Sequence, residues 1–245
     1  MEINRRELIT TAFSAGLAGL APAALRATPK GSRARPTWDP DEGVTAPEDL
    51  MKEHGVLNRC LLIYEEGVRR IRAREEIPPE VFQHTAGLIR RFVEEYHEKN
   101  EENYIFPQFK RAGKLLDLVN TLLQQHKAGR AVTAEILRLS TPSAFQEAQN
   151  RDRLVTAVES FIRMYRPHEA REDTVLFPAL RTILPPQRVA ALGNRMEEAE
   201  HKVLGDEGFE RSADQVAAIE KQLGIYDLRQ FTPHSPAGET TRPTF

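Results

Sequence analysis

At 245 residues with 40% apolar composition, the chain can bury one substantial core with a small appendage, and its length allows one or two domains. Formal net charge is −2 but unevenly spread: six Lys or Arg stand against two acids up to Arg35, and 28 against 34 afterwards. The mildly acidic body argues against nucleic acid, which calls for a clustered basic face, and neither common Gly-rich phosphate loop is present.

In chain order, Asn4-Arg5-Arg6-Glu7-Leu8-Ile9 sets paired arginines ahead of a weakly apolar run from Leu8 to Ala24, closing on the small-x-small pattern Ala21-Pro22-Ala23. This resembles a twin-arginine export signal, with Leu8 in place of the favoured Phe and Thr10 in place of Lys. The resemblance implies a leader over residues 1–23, passage through an export machinery that carries folded, metal-loaded proteins, and a periplasmic location. The run is too short and too broken by Gly16, Gly19 and Pro22 for the roughly 20 apolar residues of a membrane span, so none is expected in the mature protein. Residues 24–45, rich in Pro, Arg, Asp and Gly with one Trp38, read as linker.

Four amphipathic helices follow. The first opens near Ala46–Glu48 with acids at its positive end and runs to about Arg74, its stripe carrying Leu50, His54, Leu57 and Leu61. After Pro78-Pro79 the second aligns Phe82, Ala86, Ile89, Val93, His97, Glu101 and Tyr104, until Pro107 kinks or ends it. The third aligns Leu115, Val119, Leu122, His126, Thr133 and Leu137, and the fourth Leu154, Ala157, Phe161, Met164, His168 and Glu172. Helices of about 25 residues at 1.5 Å each span roughly 35–40 Å and suit an all-α, up-down-up-down four-helix bundle over residues 46–204. A helical extension is expected at 205–231, opening on Ser212 and Gln215 in capping-box positions, and a disordered tail at 232–245. Cys60, alone in the chain, reads as a small buried hydrophobe.

One stretch is written twice. His97-Glu98-x-x-Glu101-Glu102-x-x-Ile105-Phe106-Pro107 returns 71 residues later as His168-Glu169-x-x-Glu172-Asp173-x-x-Leu176-Phe177-Pro178, and the lone histidines before each copy, His54 and His126, are 72 apart. His and Glu four residues apart share a helix face. A single copy would be an ordinary histidine paired with its own glutamate; two copies in register, each with a partner histidine, point to metal, because buried imidazoles and carboxylates are costly unless paired or ligating. Six mixed nitrogen and oxygen ligands without cysteine exceed one tetrahedral zinc site and fit two carboxylate-bridged metals. Non-haem di-iron is the natural occupant, ahead of manganese or zinc. By symmetry His54 and His97 serve one metal, His126 and His168 the other, and Glu101 and Glu172 bridge. Glu98 and Glu169, about 100° around the helix from the site face, are extra ligands or outer acceptors.

The order His, His-Glu-x-x-Glu, His, His-Glu-x-x-Glu, with Phe-Pro after each glutamate pair, resembles the hemerythrin-like family of His-His-Glu cation-binding domains over about residues 46–185. The resemblance implies a four-helix bundle with an oxo- and carboxylate-bridged pair of iron ions held by His54, His97, Glu101, His126, His168 and Glu172, meeting O2, NO or peroxide. The oxygen carriers of that family bear a second histidine four residues after the one on the third helix. Here that position is Arg130, and Asn58 stands at the matching place after His54, which moves the expected chemistry from carriage toward electron transfer and peroxide. Arg130 is expected to touch a bridging glutamate, close an entrance or snorkel out of the bundle end, and Tyr104, which shares the metal face, to pack in the core rather than take a redox role. His84, about 220° from His97, faces away. Function is thus read as a binding, sensing or redox module, with a di-iron oxidoreductase as the alternative and a structural zinc bundle as a third; the sequence leaves oligomeric state open.

Overall fold

The computed structural model describes residues 45–233, which form helices joined by short connections, with no strand among the described residues. The arginine pair, apolar run and Trp38, like the tail from His234, lie outside the described residues. No helix among the described residues is long and apolar enough to cross a membrane.

Helix α1 (Ala46–Ala73) begins where the Thr45 amide donates to Glu48 Oε2 at 3.1 Å, with Glu48 and Asp49 in the first turn. It stops at Arg74, whose φ of 57° turns the chain away. The second helix, α2, is a continuous rod over 80–112. It comprises α-helical Glu80–Leu88, a wider π-helical stretch Ile89–His97, one short α-helical segment Glu98–Asn100, a π turn Glu101–Ile105, and α-helical Phe106–Ala112 before Gly113 at φ 62°. Pro107 therefore does not end the helix, which runs on to Ala112. In a regular α-helix its ring would clash with the carbonyl four residues back; the π turn ahead of it, where the Phe106 amide reaches five residues back to the Glu101 carbonyl, relieves that conflict.

Helix α3 (Leu116–Leu139) starts one residue after Leu115, which caps it at φ 51° with 37% of its surface exposed instead of joining the expected stripe. After a single turn at Pro142–Phe145, the fourth helix, α4, covers 148–183 with the same device as α2: α-helical Ala148–Arg171, a π turn Glu172–Leu176 in which the Phe177 amide donates to the Glu172 carbonyl, and α-helical Phe177–Ile183 carrying Pro178 in its first turn. Helix α1 packs on α2 and α4, and α3 packs on the same two, so each long helix has two long neighbours. Apolar residues form two clusters. One gathers Leu61, Tyr64, Phe82, Phe92 and Phe161; the other gathers Leu50, Phe106, Phe109, Phe177 and Leu180. Along every long helix the stretch between them is a band of buried polar side chains.

Two further helices, α5 (Pro186–Val203) and α6 (Gly208–Leu223), lie against α1. Helix α6 opens four residues before Ser212, whose hydroxyl donates to the Gly208 carbonyl at 2.8 Å, so Ser212 is an interior residue and not a cap. The turn is set by Gly205 and Glu207, both with positive φ, and by Glu200 Oε1 accepting the Phe209 amide at 2.8 Å. Arg59 holds buried Glu220 through bonds of 3.1, 3.2 and 2.6 Å, and Arg70 caps the Leu223 carbonyl at 2.6 Å.

Candidate metal centre

The polar band contains the repeat. His54 on α1, His97 and Glu101 on α2, His126 on α3, and His168 and Glu172 on α4 are brought together, each at most 4% exposed. The His54 and His97 Nε2 atoms face one another at 3.1 Å. Glu101 Oε2 lies 3.8 Å from His97 Nε2 and 3.4 Å from His126 Nε2, while Glu172 Oε2 lies 3.4 Å from His54 Nε2 and 3.2 Å from His168 Nε2. Each glutamate thus sits between a histidine of one half and a histidine of the other. Ligand atoms of Glu101, His126, His168 and Glu172 lie within 4.8 Å of one another, as do those of His54, His97 and Glu101.

Every histidine is turned inward by an acceptor on its outer nitrogen. His54 Nδ1 meets Asp173 Oδ1 at 2.8 Å, His97 Nδ1 meets Glu53 Oε2 at 2.6 Å, His126 Nδ1 meets Glu102 Oε1 at 3.2 Å, and His168 Nδ1 meets Gln125 Oε1 at 2.9 Å. Such an acceptor fixes the tautomer with the proton outside, leaving the Nε2 lone pair for the centre. The phenylalanines of the two Phe-Pro pairs stack on the helix histidines: Phe177 on His54 at 5.7 Å between centroids, and Phe106 on His126 at 5.5 Å. The π turns accordingly do two things, accommodating the prolines and setting each phenylalanine over an imidazole.

Burial opposes charge on His54, yet its bonds to Asp173 and Glu172 prevail and hold the imidazole well above its ordinary value. His126, likewise opposed by burial, is raised to about 10 by Glu101 and Glu102. His97, buried and facing His54, is held well below. Burial and the neighbouring Glu172 push Glu101 to about 8, whereas Glu172, against burial, is kept low by His168 and His54. The cluster therefore demands positive charge at its middle.

A metal ion fits that demand. Both oxygens of Glu101, both of Glu172 and Nε2 of His126 are fully buried with no hydrogen-bond partner. Five such atoms in one buried cluster would be a heavy desolvation cost for any protein, and imidazole nitrogen with carboxylate oxygen is a donor set that takes divalent metals.

The remaining predicted residues are placed as follows. Glu98 Oε1 accepts from Tyr165 Oη at 2.6 Å and its other oxygen lies 2.7 Å from Arg130 Nη2, on the outer side of His126. Glu169 accepts from Asn58 Nδ2. Arg130 also reaches Glu102 at 2.6 Å rather than either of the glutamates between the histidines. Tyr104 packs against the second apolar cluster. His84 and His201 are exposed, and Cys60 is buried with its thiol pKa raised by burial. Sequence reasoning missed the acceptors Glu53, Gln125, Glu102 and Asp173. The signal was present: Glu102 and Asp173 occupy one place in the twice-written stretch, and Glu53 and Gln125 each immediately precede a helix histidine.

Fold and site together define an all-helical protein with a buried histidine–carboxylate cluster suited to binding metal. The model of the hemerythrin HHE cation-binding domain matches residues 45–180 and 117–206, and the chain belongs to this family. It is similar to the uncharacterized proteins Rv1995 of Mycobacterium tuberculosis (strain H37Rv) and Mb2018 of Mycobacterium bovis, at 45% identity over 234 residues, covering 94% of this chain and 91% of each relative. No solved structure matches.

Proposed function

We propose that the cluster holds two iron ions, one at His54 and His97, the other at His126 and His168, with Glu101 and Glu172 bridging, inside an up-down-up-down four-helix bundle. The observation that carries this reading is the four unpartnered buried carboxylate oxygens of Glu101 and Glu172 among four outward-tethered imidazoles, with His126 Nε2 unpartnered beside them. Side-by-side pairing of the four long helices through short connections supports the topology. The bundle takes residues 46–204 and the helical extension 205–231.

A carboxylate-bridged iron pair supplies one-electron steps and a binding place for O2, NO or peroxide. The chain supplies the rest: outer acceptors orient the imidazoles, the stacked phenylalanines exclude water, and buried Tyr96 and Tyr165 donate to Glu53 and Glu98 at 2.6 Å each. Arg130, pinned to Glu98 and Glu102, stands where an oxygen carrier has another histidine. That favours redox chemistry over reversible carriage, and with it a di-iron oxidoreductase as the second reading. Purified protein should contain about two irons per chain and show oxo-bridge absorption after exposure to O2; less than one iron, or zinc in its place, would sink both readings. We place the protein in the periplasm through its paired arginines, and a chain with Arg5→Lys and Arg6→Lys should stay in the cytoplasm.

A further inference from the structure

The two halves of the centre repeat the same positions but not the same charges. Around His54 and His97 the outer acceptors are both carboxylates, Asp173 and Glu53, and the adjacent buried Glu169 accepts only from the neutral amide of Asn58. Among the described residues none of these three acids is paired with Lys or Arg. Around His126 and His168 the pattern changes. The acceptor on His168 is the neutral carboxamide of Gln125, and the two acids near His126, Glu98 and Glu102, share the guanidinium of Arg130 at 2.7 and 2.6 Å, with Lys99 a further 2.6 Å contact on Glu102. Three acids without a cationic partner on one side face two that share one on the other. The difference resides at two pairs of equivalent positions: Glu53 against Gln125, one before the helix histidine, and Asn58 against Arg130, four after it.

A carboxylate on the outer nitrogen of a ligating imidazole makes the inner nitrogen a stronger donor, and a carboxamide does so far less. A buried carboxyl group with no cationic partner, ionised when a bound cation displaces its proton, adds direct attraction for that cation, which a nearby guanidinium cancels. We infer that the two metal positions are unequal: the one at His54 and His97 binds a divalent ion more tightly and fills first, with Glu53 as the residue that sets the difference and Gln125 and Arg130 weakening the other. This rests on the reading that the cluster holds two ions.

Titration of the metal-stripped full-length chain with Co2+, followed by calorimetry and visible absorption, tests it. The wild type should take up two ions in two steps at least about 10-fold apart, the lower end of the effect of one outer partner. His54→Ala should abolish the tighter step, and His126→Ala the weaker. Glu53→Gln should bring the steps together, while Gln125→Glu should tighten the weaker step, a gain that damage to folding cannot imitate; circular dichroism checks each variant. Two equal steps in the wild type, a tight step that survives His54→Ala, or no tightening in Gln125→Glu would overturn the inference and leave the two-metal reading standing. Fewer than two ions per wild-type chain would overturn both.

Discussion

A buried imidazole has two nitrogens, and in this centre each has a task. The outer one is anchored to a side chain from another helix and the inner one is aimed at the cluster, so a ligand's orientation is lost when its anchor is lost. Other single atoms matter as much. Gly129 on α3 is the only residue type that fits beneath Tyr165: a Cβ there would lie 2.1 Å from the Tyr165 hydroxyl and 2.9 Å from its ring carbon. Gly129→Ala should destabilise the protein by about 1–3 kcal/mol, the usual cost of overpacking, and loosen the Tyr165–Glu98 bond; an unchanged thermal midpoint would contradict this close contact. At this scale the sequence disclosed the inward residues, because a face shared by His and Glu at helical spacing repeats at a fixed offset. The anchors stayed hidden: Glu53, Gln125, Glu102 and Asp173 look like solvated polar residues until the neighbouring helix is in place.

For the elements, periodicity located α1 and α3 to within a residue or two, since capping acids, stripes and stops agree there. It failed where the local rule was broken on purpose. The π turns at Glu101 and Glu172 have no hydrophobic period of their own, so Pro107 read as a kink or an end when the helix runs on past it through the wider turn. The start of α6 was misplaced because Glu207, not a glycine, takes the left-handed turn before it. How firmly α6 is held depends on Arg59 and Glu220. Glu220→Ala should cost about 1–2 kcal/mol, below the figure for a fully buried pair because Arg59 leaves 31% of its side chain in water. The loss should appear in hydrogen exchange as faster opening of 208–223 with α2 and α3 unaffected. Uniform acceleration across the chain would mean that α6 is part of the main cooperative unit.

Taken as one molecule, the protein carries a centre that couples its stability to protons and metal. Between about pH 6.5 and 8 the folded, metal-stripped chain retains protons on His54, His126, Glu53, Glu101 and Glu169, all raised above their ordinary values, which an unfolded chain has already released. The folded state then binds more protons, so stability falls as pH rises. His97, whose pKa is lowered, contributes with the opposite sign mainly below about 6.5, and what remains of it just above is outweighed by the five raised groups. Thermal midpoints measured in EDTA should drop from pH 6.5 to 8, and a divalent metal, which replaces those protons, should remove or reverse the drop; a rising midpoint in EDTA would refute the proton inventory. The anchoring pattern has one more consequence. His54 leans on α4 and His126 on α2, so each half of the chain finishes the other half's imidazoles. A helix hairpin like 46–112, paired with its own twin, would contain every element of such a centre, but any substitution in it would appear on both sides at once. A single polypeptide holding both hairpins is free of that restriction, and Gln125 and Arg130 are places where its second half differs from its first.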